Sequence, residues 1–297
     1  MAPISIILVI LSAAIHVGWN YLTKSSSKPK LFSLLKGTLL LLFLLVVIPI
    51  IPLSSIPTDV WIFIVLSGII HAVYVLALAS AYEAGDMSFV YPIARSAPAF
   101  VPIAAFLIIG EIVSLRGFLG IAIVVTGVFL MQIRGTGNSE FRQFLSSFKQ
   151  KDSLWAFITL GTVVSYTIVD KAGMVAFSRI GEIASGLHGP VFFLFENSMC
   201  YLLFWLYLFL RRELTIGPVW KKEWPLGALA ALCTLISYSL ILHVMQTETV
   251  SYIVTLRQSG ILFAVLTGWK ALKEPYGSYR LFVTFFMLIG FFLVATG

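Results

Sequence analysis

The chain has 297 residues, 59% hydrophobic and 11% charged, with a mean hydropathy of +0.99 and a formal net charge of +7. Soluble domains carry about 25% charged residues, so this composition excludes an ordinary soluble globule and points to a protein of the bilayer. The positive charge is not a nucleic-acid signature, because the Lys and Arg residues fall between apolar blocks and form no single basic face.

A helix rises about 1.5 Å per residue and the hydrocarbon is about 30 Å thick, so each crossing needs about 20 apolar residues. Ten stretches qualify: 2–23, 32–53, 60–82, 87–109, 115–133, 154–174, 187–210, 225–246, 249–270 and 278–296. In the first, Pro3 to Tyr21 lacks the basic start and small-residue exit of a cleavable signal and reads as a spanning helix. His16, Asn20 and Lys24 recur every four residues there, forming one polar stripe. Imidazole is the side chain whose ordinary pKa lies near neutral pH, so His16 makes a proton a candidate coupling ion.

Ionisable groups inside a span cost several kcal/mol unless they face a partner or a wet cavity, so they are the default pathway candidates. His71, Tyr74 and Tyr82 line one face of the third span. The fourth holds Arg95 among Pro92, Pro98 and Pro102, with Tyr91, Arg95 and Pro98 on one face. Each proline removes a backbone donor, and freed carbonyls beside a buried Arg suit a cavity wall or, equally, a kinked packing helix. The sixth span aligns Tyr166 with Asp170, and the seventh contains Glu196 and Asn197. Arg257 and Gln258 sit about as deep in the ninth span as Arg95 does in the fourth. Polar stripes of this kind also serve as interhelical glue. Cys200 and Cys233 fit no metal or redox spacing.

The longest connection, Arg134 to Ser153, divides the chain into residues 1–133 and 154–297, each with five spans. An odd number of spans per half inverts the second half relative to the first. Sliding residues 87–130 along by 163 positions pairs Ser88 with Ser251, Ser96 with Ser259, Phe100 with Phe263 and Glu111 with Glu274. It also pairs Gly127, Phe129 and Leu130 with Gly290, Phe292 and Leu293. The fold expected is therefore an all-α integral membrane protein, ten helices in a 5+5 inverted repeat. Glu111 and Glu274, at span ends, are expected to fix turns.

One set of loops and flanks holds Lys24, Lys28, Lys30, Lys36, Arg134, Arg142, Lys149, Lys151, Arg211, Arg212, Lys221, Lys222, Lys270, Lys273 and Arg280; the other has Arg116, Lys171 and Arg179. The positive-inside rule puts the crowded set in the cytoplasm and both termini outside. No Walker loop, G-x-S-x-G elbow or H-E-x-x-H helix occurs, so neither an enzyme nor a resident cofactor is expected.

The run from Ala81 to Pro98, ending at Gly110 and Glu111, resembles EamA-type members of the drug/metabolite transporter superfamily. The likeness continues in His16 to Asn20 with Lys24, in Ser165 to Lys171 and in Ser251 to Ser259. It implies a ten-helix inverted-repeat carrier with a central cavity lined by the first, third, fourth, sixth, eighth and ninth spans. It also implies both termini in the cytoplasm, against the loop charges. The expected function is alternating-access transport of a small polar solute. Two arginines favour an anionic or zwitterionic one, such as an amino acid, organic acid or phosphonate. The rivals are a flippase for a lipid-linked sugar phosphate and a non-transporting receptor or assembly subunit, for which a soluble domain or long tail is expected. The expected site residues are Arg95, Arg257, Tyr91, His16, Asn20, His71, Tyr74, Tyr82, Tyr166, Asp170 and Gln258. The expected partners are a small-molecule substrate, membrane lipid and a coupling proton, with no nucleic acid.

Overall fold

Hydrocarbon offers backbone N–H and C=O groups no water, so a chain this apolar satisfies them internally by forming helices. The computed structural model describes residues 1–84, 93, 96–131, 153–214, 217–263 and 277–297. These hold ten α-helices and no strand: α1 Pro3–Ser25, α2 Pro29–Val47, α3 Thr58–Ala84, α4 Ala97–Ile109, α5 Leu115–Leu130, α6 Ser153–Phe177, α7 Ser185–Leu210, α8 Gly217–Met245, α9 Val250–Arg257 and α10 Gly277–Thr296. Six of them, α1, α2, α3, α6, α7 and α8, are long and apolar enough to cross a membrane. Large apolar side chains point outward, Leu45, Leu107, Ile112, Phe209 and Phe282 among them, while Lys36, Asp170 and Glu196 are buried. Such an inside-out distribution suits a lipid surround and is costly in water.

The chain forms two compact units. One comprises Met1–Ile6, Tyr74–Ile168 and Glu248–Gly297; the other comprises Ile7–Val73 and Val169–Thr247. Each draws residues from both halves of the sequence.

In the first unit α5 packs along α10, and α4 packs on α9. The α5–α10 contact depends on glycine. A Cβ at Gly120 would lie 2.7 Å from the Gly290 carbonyl oxygen, and one at Gly290 would lie 2.8 Å from that of Gly120. Small residues at such a crossing let two backbones approach where no hydrophobic force drives them together. Val124 packs over Gly290, and Met287 packs over Gly127. The 163-residue offset exchanges these two contacts with each other.

Two prolines of the fourth span have different roles. Ser96 stands outside the helix and Pro98 lies in the first turn of α4, where a missing N–H costs nothing, so Pro98 begins the helix and does not kink it. Pro102 does lie inside α4. At the far end Gly110 adopts φ +68°, the left-handed conformation that stops a helix, and the Glu111 N–H closes the turn onto the Ala105 carbonyl. That turn carries the Glu111 carboxylate to the start of α9, where it accepts the N–H groups of Val250 (2.7 Å) and Ser251 (3.1 Å) and the Ser251 hydroxyl (2.6 Å).

In the second unit α2, α7 and α8 pack on one another. Their core is large and apolar, with Phe32, Leu34, Leu35, Phe192, Phe204, Leu208 and Ile241 almost fully enclosed. α2 begins at Pro29, three residues before the expected span, and places Lys36 about two turns in, buried with its ammonium 3.7 Å from the centre of the Trp19 ring. Lys36 is therefore a cation buried within a helix, not the loop flank its sequence position suggested.

Candidate functional site

Two groups of polar residues stand out, one in each unit.

In the second unit, α3 carries Ser67 and His71 one turn apart, α6 carries Asp170, α7 carries Glu196 and α8 carries Tyr238. The Asp170 carboxylate accepts the Ser67 hydroxyl through Oδ1 (2.5 Å) and the Tyr238 hydroxyl through Oδ2 (2.6 Å). The Tyr238 oxygen lies 3.1 Å from His71 Nε2. On the other side of the ring, His71 Nδ1 lies 2.9 Å from Glu196 Oε1 and 3.0 Å from the Ser67 carbonyl oxygen. Asp170 and Glu196 are 0% and 1% exposed, deep enough that a missing partner is expensive. Glu196 Oε2 nevertheless has no hydrogen-bond partner among the described residues. Phe193 tilts against the Tyr238 ring at 5.2 Å and shields this side of the network.

In the first unit, α9 stops after Arg257. Gln258 and Ser259 form a tight turn whose N–H groups bond the carbonyls of Thr255 and Leu256, three residues back, before the helix resumes at Gly260. This break interrupts the span expected over 249–270. Gln258 and Ser259 are buried, yet Gln258 Oε1 and Ser259 Oγ lack hydrogen-bond partners among the described residues. Ser96, which the 163-residue offset pairs with Ser259, stands where α4 has not yet begun. Arg257 is half-buried at the last helical position of α9. Tyr74 and Tyr166 meet edge to face in this unit, with ring centres 5.7 Å apart.

The expected residues thus fall into several places. His71 and Asp170 belong to one network, Tyr74 and Tyr166 to one aromatic pair, and Arg257 and Gln258 to one helix break. His16 packs edge-on against Trp19 of its own helix (4.8 Å), and the exposed Asn20 donates its amide to the His16 carbonyl (2.8 Å). Tyr91, Arg95 and the side chain of Tyr82 lie outside the described residues. Ser67 and Tyr238 were not singled out in the sequence. A hydroxyl has no signature until the fold brings it to a carboxylate. Glu196 carried a signal, being an acid inside a span, but no periodic polar companion on its own helix. An apolar groove along α3 and α7, lined by Trp61, Val65, Phe195, Met199 and Leu202, carries no charged group and suits lipid contact more than solute chemistry.

Apolar helices with an apolar exterior and buried ionisable groups define a multi-pass helical membrane protein. Residues 3–133 match the profile of the EamA-like transporter family. An 80-residue segment, 27% of the chain, is 32% identical to an uncharacterized transporter in the cobO 3′ region of a Sinorhizobium species, spanning 57% of that relative's length. A solved crystal structure described only as a protein superposes with a TM-score of 0.67, covering 99% of this chain and 95% of that one at 15% identity, a likeness of fold alone.

Proposed function

We propose that the chain is a secondary transporter that moves a small anionic or zwitterionic metabolite across the cell membrane by alternating access. The observation that carries this reading is the break in α9, where Gln258 Oε1 and Ser259 Oγ are buried without hydrogen-bond partners among the described residues, next in sequence to Arg257. Interrupted helices inside a membrane are tolerated where they line a cavity, and they are common substrate sites in transporters. Arg257 supplies a planar, permanently charged fork for a carboxylate or phosphate, and Arg95 is its near-counterpart in the other half of the sequence. The exchanged contacts at Gly290 and Gly127, and the helix ends at Ser96 and Ser259, support an inverted repeat of residues 1–133 and 154–297 across the connecting loop 134–153. The charge of the basic loops supports a topology with residues 134–153 in the cytoplasm and the termini outside.

Ligand-induced stabilisation tests the assignment. A solute that binds the folded state at 100 times its Kd stabilises it by about 2.7 kcal/mol, a readable thermal shift. Purified protein screened against carboxylates, phosphates and amino acids is expected to show such a shift, which Arg95→Gln and Arg257→Gln remove while the ligand-free midpoint stays near wild type. Arg95→Lys keeps the charge but not the fork and is expected to retain part of the shift. If Arg95→Gln lowers the ligand-free midpoint by several degrees and leaves the ligand shift intact, that arginine is structural and the anion site is wrong.

A further inference from the structure

Lys36 has no part in the transport reading. α2 carries it about 10 Å past the start of the helix, at about 1.5 Å per residue. It is 5% exposed there, with its ammonium 3.7 Å from the centre of the Trp19 ring. A ring face attracts a cation but gives its three N–H groups one diffuse partner. A buried ammonium is costly unless an acid or several oxygen acceptors meet it. Among the described residues Lys36 has neither. Glu213 pairs with Lys30 (2.7 Å), Glu196 lies against His71 (2.9 Å), and Glu223 accepts the hydroxyls of Ser26 and Ser27 (2.5 and 2.6 Å). Cys200 comes within electrostatic range of Lys36 and offers a thiol.

The other unmet groups at this end of the unit are donors as well. Trp19 Nε1 is buried and has no acceptor among the described residues, and the same holds for Trp220 Nε1. Both indoles pack on the cluster of Leu31, Phe32, Val219 and Ala230, where α1 stops and α2 and α8 begin. Trp205, which meets Trp220 edge to face, shows the satisfied arrangement: its Nε1 donates to the Thr38 hydroxyl (2.9 Å). Buried N–H groups without an acceptor are rare in folded proteins and call for a reason. The Lys36 ammonium stands over the face of Trp19 and Nε1 lies on the edge of the same ring, so one oxyanion reaches both. Lys28, Lys221 and Lys222 are exposed around these helix ends, and their field draws anions toward them.

We propose that Lys36 and Trp19 form a binding site for one oxyanion group, a carboxylate or a phosphate, between α1 and α2. Lys36 supplies the charge, as lysine does for phosphates, and the indole N–H fixes the direction of approach. The anion accepts hydrogen bonds from Lys36 Nζ and Trp19 Nε1, and no covalent bond forms or breaks. A cationic ligand does not fit, because Nζ and Nε1 can only donate. An anionic phospholipid headgroup and a soluble carboxylate or phosphate present the same group to these donors.

Thermal unfolding of the full chain in neutral detergent tests the site, with sodium phosphate, sodium acetate and short-chain phosphatidylglycerol as probes against chloride at matched ionic strength. At least one probe is expected to raise the midpoint saturably above the chloride reference. A rise with phosphate or acetate identifies a soluble anion, and a rise with phosphatidylglycerol alone identifies a lipid headgroup. Lys36→Met is expected to abolish the rise while the ligand-free midpoint stays at or above wild type, because an apolar chain of similar length replaces an ammonium held without an acid. Trp19→Phe keeps a ring under the cation and loses only the N–H, so it is expected to weaken the apparent affinity about tenfold or more. Arg257→Gln, which lacks the fork proposed for substrate, is expected to keep the rise, so the two sites report separately. Midpoints indistinguishable from chloride with all three probes overturn the proposal. So does a rise that survives in Lys36→Met and disappears in Arg257→Gln, which would belong to α9. If Lys36→Met fails to fold, an unchanged affinity in Trp19→Phe overturns the proposal equally.

Discussion

Replacing Asp170 by alanine is expected to cost the folded chain about 3–5 kcal/mol, the range for removing one member of a buried charged network. Three groups lose their partner at once. The Ser67 and Tyr238 hydroxyls, which donate to Oδ1 and Oδ2, keep their burial but lose their acceptor, and His71 loses one of its two balancing carboxylates. Asp170→Asn retains one carbonyl oxygen in place and is expected to cost about 1–2 kcal/mol, within the range for a single unsatisfied buried group. Thermal denaturation in detergent, read by loss of monodispersity, distinguishes the two variants. A midpoint for Asp170→Ala within a degree of wild type would show that α3, α6 and α8 do not depend on this carboxylate.

The second large effect is expected at Glu111, whose carboxylate serves the first turn of α9 from the loop after α4. α9 has only eight residues, and its N-cap residue, Thr249, makes no side-chain cap. The orphan N–H groups that begin any helix are met instead by Glu111, through two backbone donors and the Ser251 hydroxyl. Negative charge there also favours the positive end of the helix. Glu111→Ala removes all three acceptor contacts and is expected to lower stability by about 2–4 kcal/mol, given about 1.5–3 kcal/mol for a hydrogen bond to a charged group and partial rescue by water. The loss has an address. Amide exchange over Val250 to Ile253 should accelerate in Glu111→Ala more than in Glu111→Gln, while α2, α7 and α8 exchange as before. Uniform acceleration over the whole chain, or none at α9, would contradict the role of Glu111 as its cap.

Most helices were legible in the sequence because the signal for a span is crude: length multiplied by apolarity. α1, α5, α6 and α7 begin within two residues of their expected starts, and Gly110 ends α4 as a left-handed glycine should. The misplacements have local causes. Proline at Pro29 starts α2 three residues early, since a helix's first turn does not need its N–H, and the break at Gln258 lies in the polar run Arg257–Gly260, whose polar residues alone do not distinguish a broken span from a continuous one. The site was legible only by element. Spacings of three and four select faces, so His71 with Tyr74 and Tyr166 with Asp170 emerged as stripes, and the fold brings His71 to Asp170 and Tyr74 to Tyr166. They could not show that Tyr238 stands between His71 and Asp170, because contacts across helices leave no mark on the spacing of either chain segment. Lys36 was misplaced for a related reason: proximity to a basic loop in sequence says nothing about which way its helix faces.

The most direct test of the transport reading is to reconstitute the purified chain in liposomes filled with a mixed extract of small metabolites, then compare the retained contents by mass spectrometry with those of protein-free liposomes. At least one anionic or zwitterionic solute should leave the protein-bearing vesicles faster, and Arg257→Gln should slow that loss without changing vesicle integrity. Indistinguishable contents with and without the protein, under an imposed pH gradient of either sign, would contradict the transport reading.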